Sequence, residues 1–142
     1  MIVTLNTLPD FAQTVKKALH PSSIVFLKGE TGAGKTTFMK SLIASIAAHP
    51  QNVTSPTFNL IQPYDVLIDN IKTTLIHGDF YRLESAEELC SLGLDDYIDN
   101  SILCFEWADK FINHLPAPDM TLEFSVIDAE LLYKNPVYFS EI

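Results

Sequence analysis

Gly29-Glu-Thr-Gly-Ala-Gly-Lys-Thr36 constrains this chain more than any other segment. The spacing Gly-x4-Gly-Lys-Thr works only between a strand that delivers it and a helix that follows it, because backbone N–H groups at the helix start must converge on one anion. Both flanks are present. Ile24-Val-Phe-Leu27 is a continuous apolar run, the pattern of a buried strand. Phe38, Met39, Leu42, Ile43, Ile46 and Ala47 recur at helical spacing, which predicts a helix from Lys35 to Ala48 that His49-Pro50 ends. Glycines at 29, 32 and 34 keep Cβ atoms clear of phosphate oxygens. Gly32, Ala33, Gly34, Lys35, Thr36 and Thr37 are therefore the expected nucleotide contacts. Lys35 supplies a mobile cation for the β- and γ-phosphates, and Thr36 offers a hydroxyl to Mg²⁺. ATP or ADP with Mg²⁺ is the expected ligand.

The remaining elements follow from periodicity and turn chemistry. Residues 2–5 alternate weakly and suit an edge strand. Thr7 and Asp10 read as a capping-box variant opening a helix over 9–19, with Val15, Ala18 and Leu19 inward. β-like residues across 57–77, interrupted by the Asp69-Asn70 turn, predict a hairpin, and Pro63 puts its first arm at an edge. A helix is expected over 84–92, stopped by Gly93. A second buried strand, Ile102-Leu-Cys-Phe105, is followed by a short helix over 108–115. Residues 120–127 and 132–139 alternate and pair as a terminal hairpin. The whole of 1–142 reads as one α/β domain, a P-loop NTPase fold with a mixed central sheet flanked by helices.

A phosphate loop needs an acid to hold the metal or its waters. Two strand ends offer one, Glu106 after Phe105 and Asp79 after His77-Gly78, and the sequence leaves open which is the direct ligand. Lys35, Glu106 and Asp79 are the expected catalytic set. His77 reads as a strand-end histidine packed beneath a loop, with a base role as the alternative. Phe80 and Tyr81 read as loop anchors, and Cys104 as a small buried hydrophobe. Trp107 divides between core packing and stacking on nucleotide or partner.

Charge narrows the function. Nine Lys and Arg against eighteen Asp and Glu give a net charge of −9. That balance opposes direct contact with nucleic acid or an anionic membrane, both of which need cations. Cys90 and Cys104 form no CxxC pair, and the first ten residues lack a basic region followed by an apolar core. A reduced, cytoplasmic location is expected. Arg82 is the one arginine. A small-molecule kinase clamps the transferring phosphoryl with several arginines, so that alternative is disfavoured. A nucleotide-gated binding module without turnover remains the other alternative to an ATPase.

Taken in order, Gly29 to Thr37, Ser55-Pro-Thr57, His77-Gly-Asp-Phe-Tyr-Arg82, Glu87-Glu-Leu89 with Gly93, and Phe105-Glu-Trp107 resemble the TsaE family, the ATPase component of bacterial tRNA threonylcarbamoyladenosine synthesis. The resemblance spans about residues 5–125, and the blocks after the phosphate loop are its specific part. It implies an ATPase that acts on the TsaB–TsaD complex, meets tRNA only indirectly, and hydrolyses weakly without its partners. It implies that Thr36 and Glu106 hold Mg²⁺ with Asp79 at the same site. Ser55 and Thr57 would belong to a switch segment, and Leu8 to Asp10 would lie near the adenine. Tyr81, Arg82 and Trp107 fall in the switch or partner region. Family members commonly follow the Trp with Pro, where this chain has Ala108. Many carry Gly-Arg in the C-terminal hairpin; here Leu132-Tyr-Lys-Asn135 offers only Lys134 as a substitute.

Overall fold

The computed structural model describes residues 2–126 and 137–141. Seven strands form one sheet: β1 (Ile2–Val3), β2 (Ile24–Lys28), β3 (Ile61–Ile68), β4 (Ile71–Asp79), β5 (Ser101–Glu106), β6 (Met120–Val126) and β7 (Val137–Glu141), in the spatial order β1-β7-β6-β2-β5-β4-β3. The inner four, β6, β2, β5 and β4, run parallel, while β3, β7 and β1 pair antiparallel at the flanks. The expected mixed sheet is thus present.

Apolar alternation separates the two faces. Val25, Leu27, Leu75, Ile102, Cys104, Leu122 and Phe124 join a core with helices α1 (Leu8–Ala18) and α2 (Lys35–Ile46). Ile24, Phe26, Ile76, Leu103 and Phe105 face the other way, against Phe80, Leu83, Leu89, Leu94 and Phe111. All six residues of β5 are buried because both faces are covered. In α1 the buried set Leu8, Phe11, Ala12 and Val15 follows the 3.6-residue period, and Lys16 and Lys17 oppose the dipole at its end. The Phe11 and Phe38 rings, 5.7 Å apart, join α1 to α2, and Phe124 continues the stack from β6.

Several boundaries differ from expectation. Thr7 is the N-cap of α1, but its side chain makes no cap bond; it accepts instead from the Thr4 N–H at 2.9 Å. The hairpin's first arm begins at Ile61 rather than 57, since residues 57–60 form a turn in which the Leu60 N–H reaches Pro56 O. Only Ala86–Cys90 (α3) is helical within 84–92, with Ser85 capping the Glu88 N–H. Residues 108–115 shrink to a 3-10 turn, Ala108–Phe111. Such short elements lack enough internal hydrogen bonds to sustain a longer helix on their own. Pro63 lies on the outermost strand, where a missing N–H costs no ladder bond. Lys134 lies outside the described residues.

Two glycines fix how the site is held. Gly29 has φ +138°, and a Cβ there would collide with the Phe124 carbonyl, so the phosphate loop begins pressed against β6. At Gly78 a Cβ would meet the Phe105 ring at 2.8 Å. That close approach lets β4 and β5 deliver Asp79 and Glu106 side by side.

Candidate functional site

Parallel strands bring their carboxyl ends to one edge, where open α/β sheets leave a crevice for ligands. A cavity of about 310 Å³ lies at that edge. Its floor is the phosphate loop and the start of α2, through Thr31, Gly32, Gly34, Lys35, Thr36 and Thr37. Ser55 and Thr57 line one side. The ends of β4 and β5 form the other, contributing Asp79, Tyr81 and Arg82 from the first, and Glu106 and Trp107 from the second. Three segments far apart in sequence meet here because β4 and β5 are neighbours, with Asp79 directly opposite Glu106 in register.

The charges are arranged for a ligand that is both anion and cation. Lys35 is buried, and its ammonium donates to the carbonyls of Gly29 and Glu30, the latter at 2.9 Å. Burial lowers the Lys35 pKa, a shift opposed by Glu106, Asp79 and Glu30. Burial raises the Asp79 pKa, opposed by the Tyr81 N–H that its Oδ1 accepts at 3.0 Å and reinforced by the Glu106 charge. One cation therefore faces two carboxylates in a half-closed space, beside N–H groups aimed from a helix start. A metal–phosphate pair satisfies both sets at once.

Each carboxylate is held. His77, wholly buried, donates from Nε2 to Glu106 Oε1 at 2.9 Å. Glu106 O accepts from the Phe80 N–H, and Leu60 O accepts from the Asp79 N–H. Trp107 follows with φ +59°, a left-handed turn that swings the chain away from the strand and leaves the indole at the cavity. Its ring centroid lies 5.0 Å from that of Tyr81 and 5.3 Å from the Lys35 ammonium. Phe80 is buried, as a loop anchor should be, whereas Tyr81 is exposed and forms the cavity rim.

Three features had no sequence signal. Lys110 donates to the carbonyls of Phe80, Tyr81 and Leu83 at 3.2, 2.7 and 2.7 Å, tying down the loop after β4. The Arg82 guanidinium stacks 4.5 Å above the exposed Phe58 ring, linking that loop to the 55–58 segment. The His77–Glu106 bond joins residues 29 apart. Of the expected nucleotide contacts, Ala33 is buried in the core rather than lining the cavity, and Leu8 and Asp10 are not in its wall; Leu8, the first residue of α1, is buried in the core.

Comparison with known proteins decides the family. The model of the threonylcarbamoyl adenosine biosynthesis protein TsaE matches residues 2–132. The chain belongs to the TsaE family. A tRNA threonylcarbamoyladenosine biosynthesis protein TsaE of Rickettsia felis is 34% identical over 117 residues, 82% of this chain and 66% of that protein. Its TsaE counterpart in Haemophilus influenzae is 35% identical over 121 residues, 83% and 73% of the two chains. The crystal structure of Bacillus subtilis YdiB has the same fold, with a TM-score of 0.70 at 23% identity, covering all of this chain and 88% of that one. Among the described residues, no helix is long and apolar enough to cross a membrane.

Proposed function

We propose that this TsaE chain is the ATP-binding and ATP-hydrolysing subunit that supports threonylcarbamoylation of tRNA adenosine next to the anticodon, acting on the TsaB–TsaD complex in the cytoplasm. The observation that carries this reading is the single cavity that unites the phosphate loop with Asp79 and Glu106. Its donor set fits Mg²⁺, a hard cation that takes one or two carboxylates and completes its shell with phosphate and water. Among the described residues no group of three or more His, Cys, Asp or Glu could hold a metal by itself.

On this reading Lys35 exchanges its bonds to Gly29 and Glu30 for phosphate oxygens. Thr36 and one of the two carboxylates would hold Mg²⁺, which would supply neutralisation of phosphoryl charge. The other carboxylate orients the attacking water. Ser55 and Thr57, whose hydroxyls lie 2.7 Å apart in the cavity wall, close on the terminal phosphate. Trp107 shields the lysine from bulk water.

Further positive charge at the transition state must come from Arg82 or from a partner, because lysine lacks the planar fork. Arg82 stacks on Phe58, so the isolated chain is expected to turn over slowly. A trans-acting charge is worth ~10³-fold or more in related chemistry. Phosphate release is measured with the chain alone, with TsaB–TsaD, and with Arg82→Ala in both settings. Slow release that the partners accelerate supports the reading. Fast release that ignores them refutes partner dependence, and nucleotide binding with no release in any setting leaves a nucleotide-gated binding module.

A further inference from the structure

We propose that His77 is a positioning residue: as an Nε2–H donor it fixes the Glu106 carboxylate in the one orientation that presents its free oxygen to a metal. The inference rests on the metal-nucleotide reading above and deepens it. Side chains alternate along a strand, so His77 and Asp79 share a face of β4. Opposite them in register stand Cys104 and Glu106, on the same face of β5. His77 therefore lies one strand repeat below the two acids, on the core side. Cys104 beside it is wholly buried, and burial pushes its thiol up to about 12, so it is a neutral neighbour.

The direction of the bond follows from the partners. A carboxylate only accepts, so the imidazole nitrogen 2.9 Å from Oε1 carries the hydrogen. The other nitrogen, Nδ1, is the one buried side-chain polar atom without a partner among the described residues. A buried polar atom left without a partner costs stability. A residue needed only to fill this space would be apolar. The imidazole is wholly buried with one polar partner, and that partner lines the cavity. Its bond removes the torsional freedom of Glu106 and leaves Oε2 for a ligand. Outer partners of this kind change metal affinity by about 10- to 100-fold when removed.

The test uses the full chain and three variants. His77→Gln places an amide N–H near the Nε2 position, while His77→Leu removes the donor at similar volume. His77→Asn keeps an amide too short to reach Glu106. Binding of Mn²⁺ in the presence of ADP is read by electron paramagnetic resonance, ADP affinity in EDTA by calorimetry, and folding by circular dichroism. We expect His77→Leu and His77→Asn to weaken Mn²⁺ binding at least ~10-fold, with metal-free ADP affinity within about twofold and His77→Gln close to the parent. In a Glu106→Gln background, His77→Leu should add nothing further, since the two act as one unit. Parent-like Mn²⁺ affinity in the Leu or Asn variant overturns the proposal. So does equal weakening in the Gln variant, or a matching loss of metal-free ADP binding, which marks general damage. If the parent binds neither Mn²⁺ nor ADP, the ATPase reading falls first and this role with it.

Discussion

Lys35 is at once the most buried charged cation of the site and the least committed, since both its acceptors are carbonyls of its own loop. Lys35→Ala should therefore leave the fold intact while weakening ATP binding by roughly 10- to 100-fold, the scale of a lost bond to a charged group. Nucleotide titration together with circular dichroism checks both halves. Glu106→Gln should retain measurable nucleotide binding and lose about tenfold or more in turnover; normal turnover would make Asp79 the metal-holding acid. Trp107 is the only tryptophan, and its ring sits 5.3 Å from the Lys35 ammonium. Its emission should shift when nucleotide displaces that ammonium, and a spectrum blind to ATP would contradict the displacement. At this scale the phosphate loop was legible because its geometry is local. The Arg82–Phe58 stack, the Lys110 clamp and the His77–Glu106 bond depend on which strands become neighbours, which residue spacing along the chain does not encode.

Between elements, the junction of α2 with β3 is held by one residue of β3. Asp65 O accepts from the Ala48 N–H and from Gln51, Asp65 N–H donates to Gln51, and its carboxylate lies 3.1 Å from His49 Nε2. The side-chain bond to Asp65 raises the His49 pKa, with the Pro50 carbonyl adding to it. A raised folded pKa means that this contribution to stability is complete below the unfolded value of 6.5 and is lost as pH rises through the folded one. His49→Gln should accordingly lower the thermal midpoint slightly at pH 5.5, with the difference fading at pH 8.5; both groups are exposed, so salt should blunt it. On the β3–β4 hairpin, Asp69 and Asn70 both take positive φ, 51° and 63°, between the paired residues Ile68 and Ile71. That is the requirement of a type I′ turn. Asn70→Ala should cost about 1 kcal/mol in denaturant unfolding, and Asn70→Gly should not. The turn, Pro63 at the edge and both buried strands were readable from sequence. Element ends were not, because the segments over 84–92 and 108–115 have helix-forming residues but are cut short by how they must lie on the sheet.

For the molecule as a whole, coverage of both faces makes β5 inaccessible, and one of two cysteines sits within it. A thiol reagent should modify Cys90 alone in the native protein, and Cys104 only at the rate of global unfolding; rapid labelling of both would contradict the double-sided core. The sheet class was legible from the parallel-strand signals, whereas the position of β6 beside β2 rests on long-range packing such as that of Phe124 on Phe38. The Lys110 clamp adds a consequence at this scale. With three carbonyls of the Phe80–Leu83 loop bound to one ammonium, and Phe80 N–H bound to Glu106, the wall bearing Asp79 is an anvil. Residues 54–57 have lighter ties, the Ser55–Thr57 hydroxyl bond and long contacts of Thr54 with the Tyr64 hydroxyl, whereas Phe58 and Leu60 are fastened to the acid wall by the Arg82 stack and the Asp79 N–H. Whatever stroke accompanies nucleotide exchange should then be one-sided, with residues 54–57 travelling and the acids standing still, so deuterium should enter residues 54–57 well before residues 79–83.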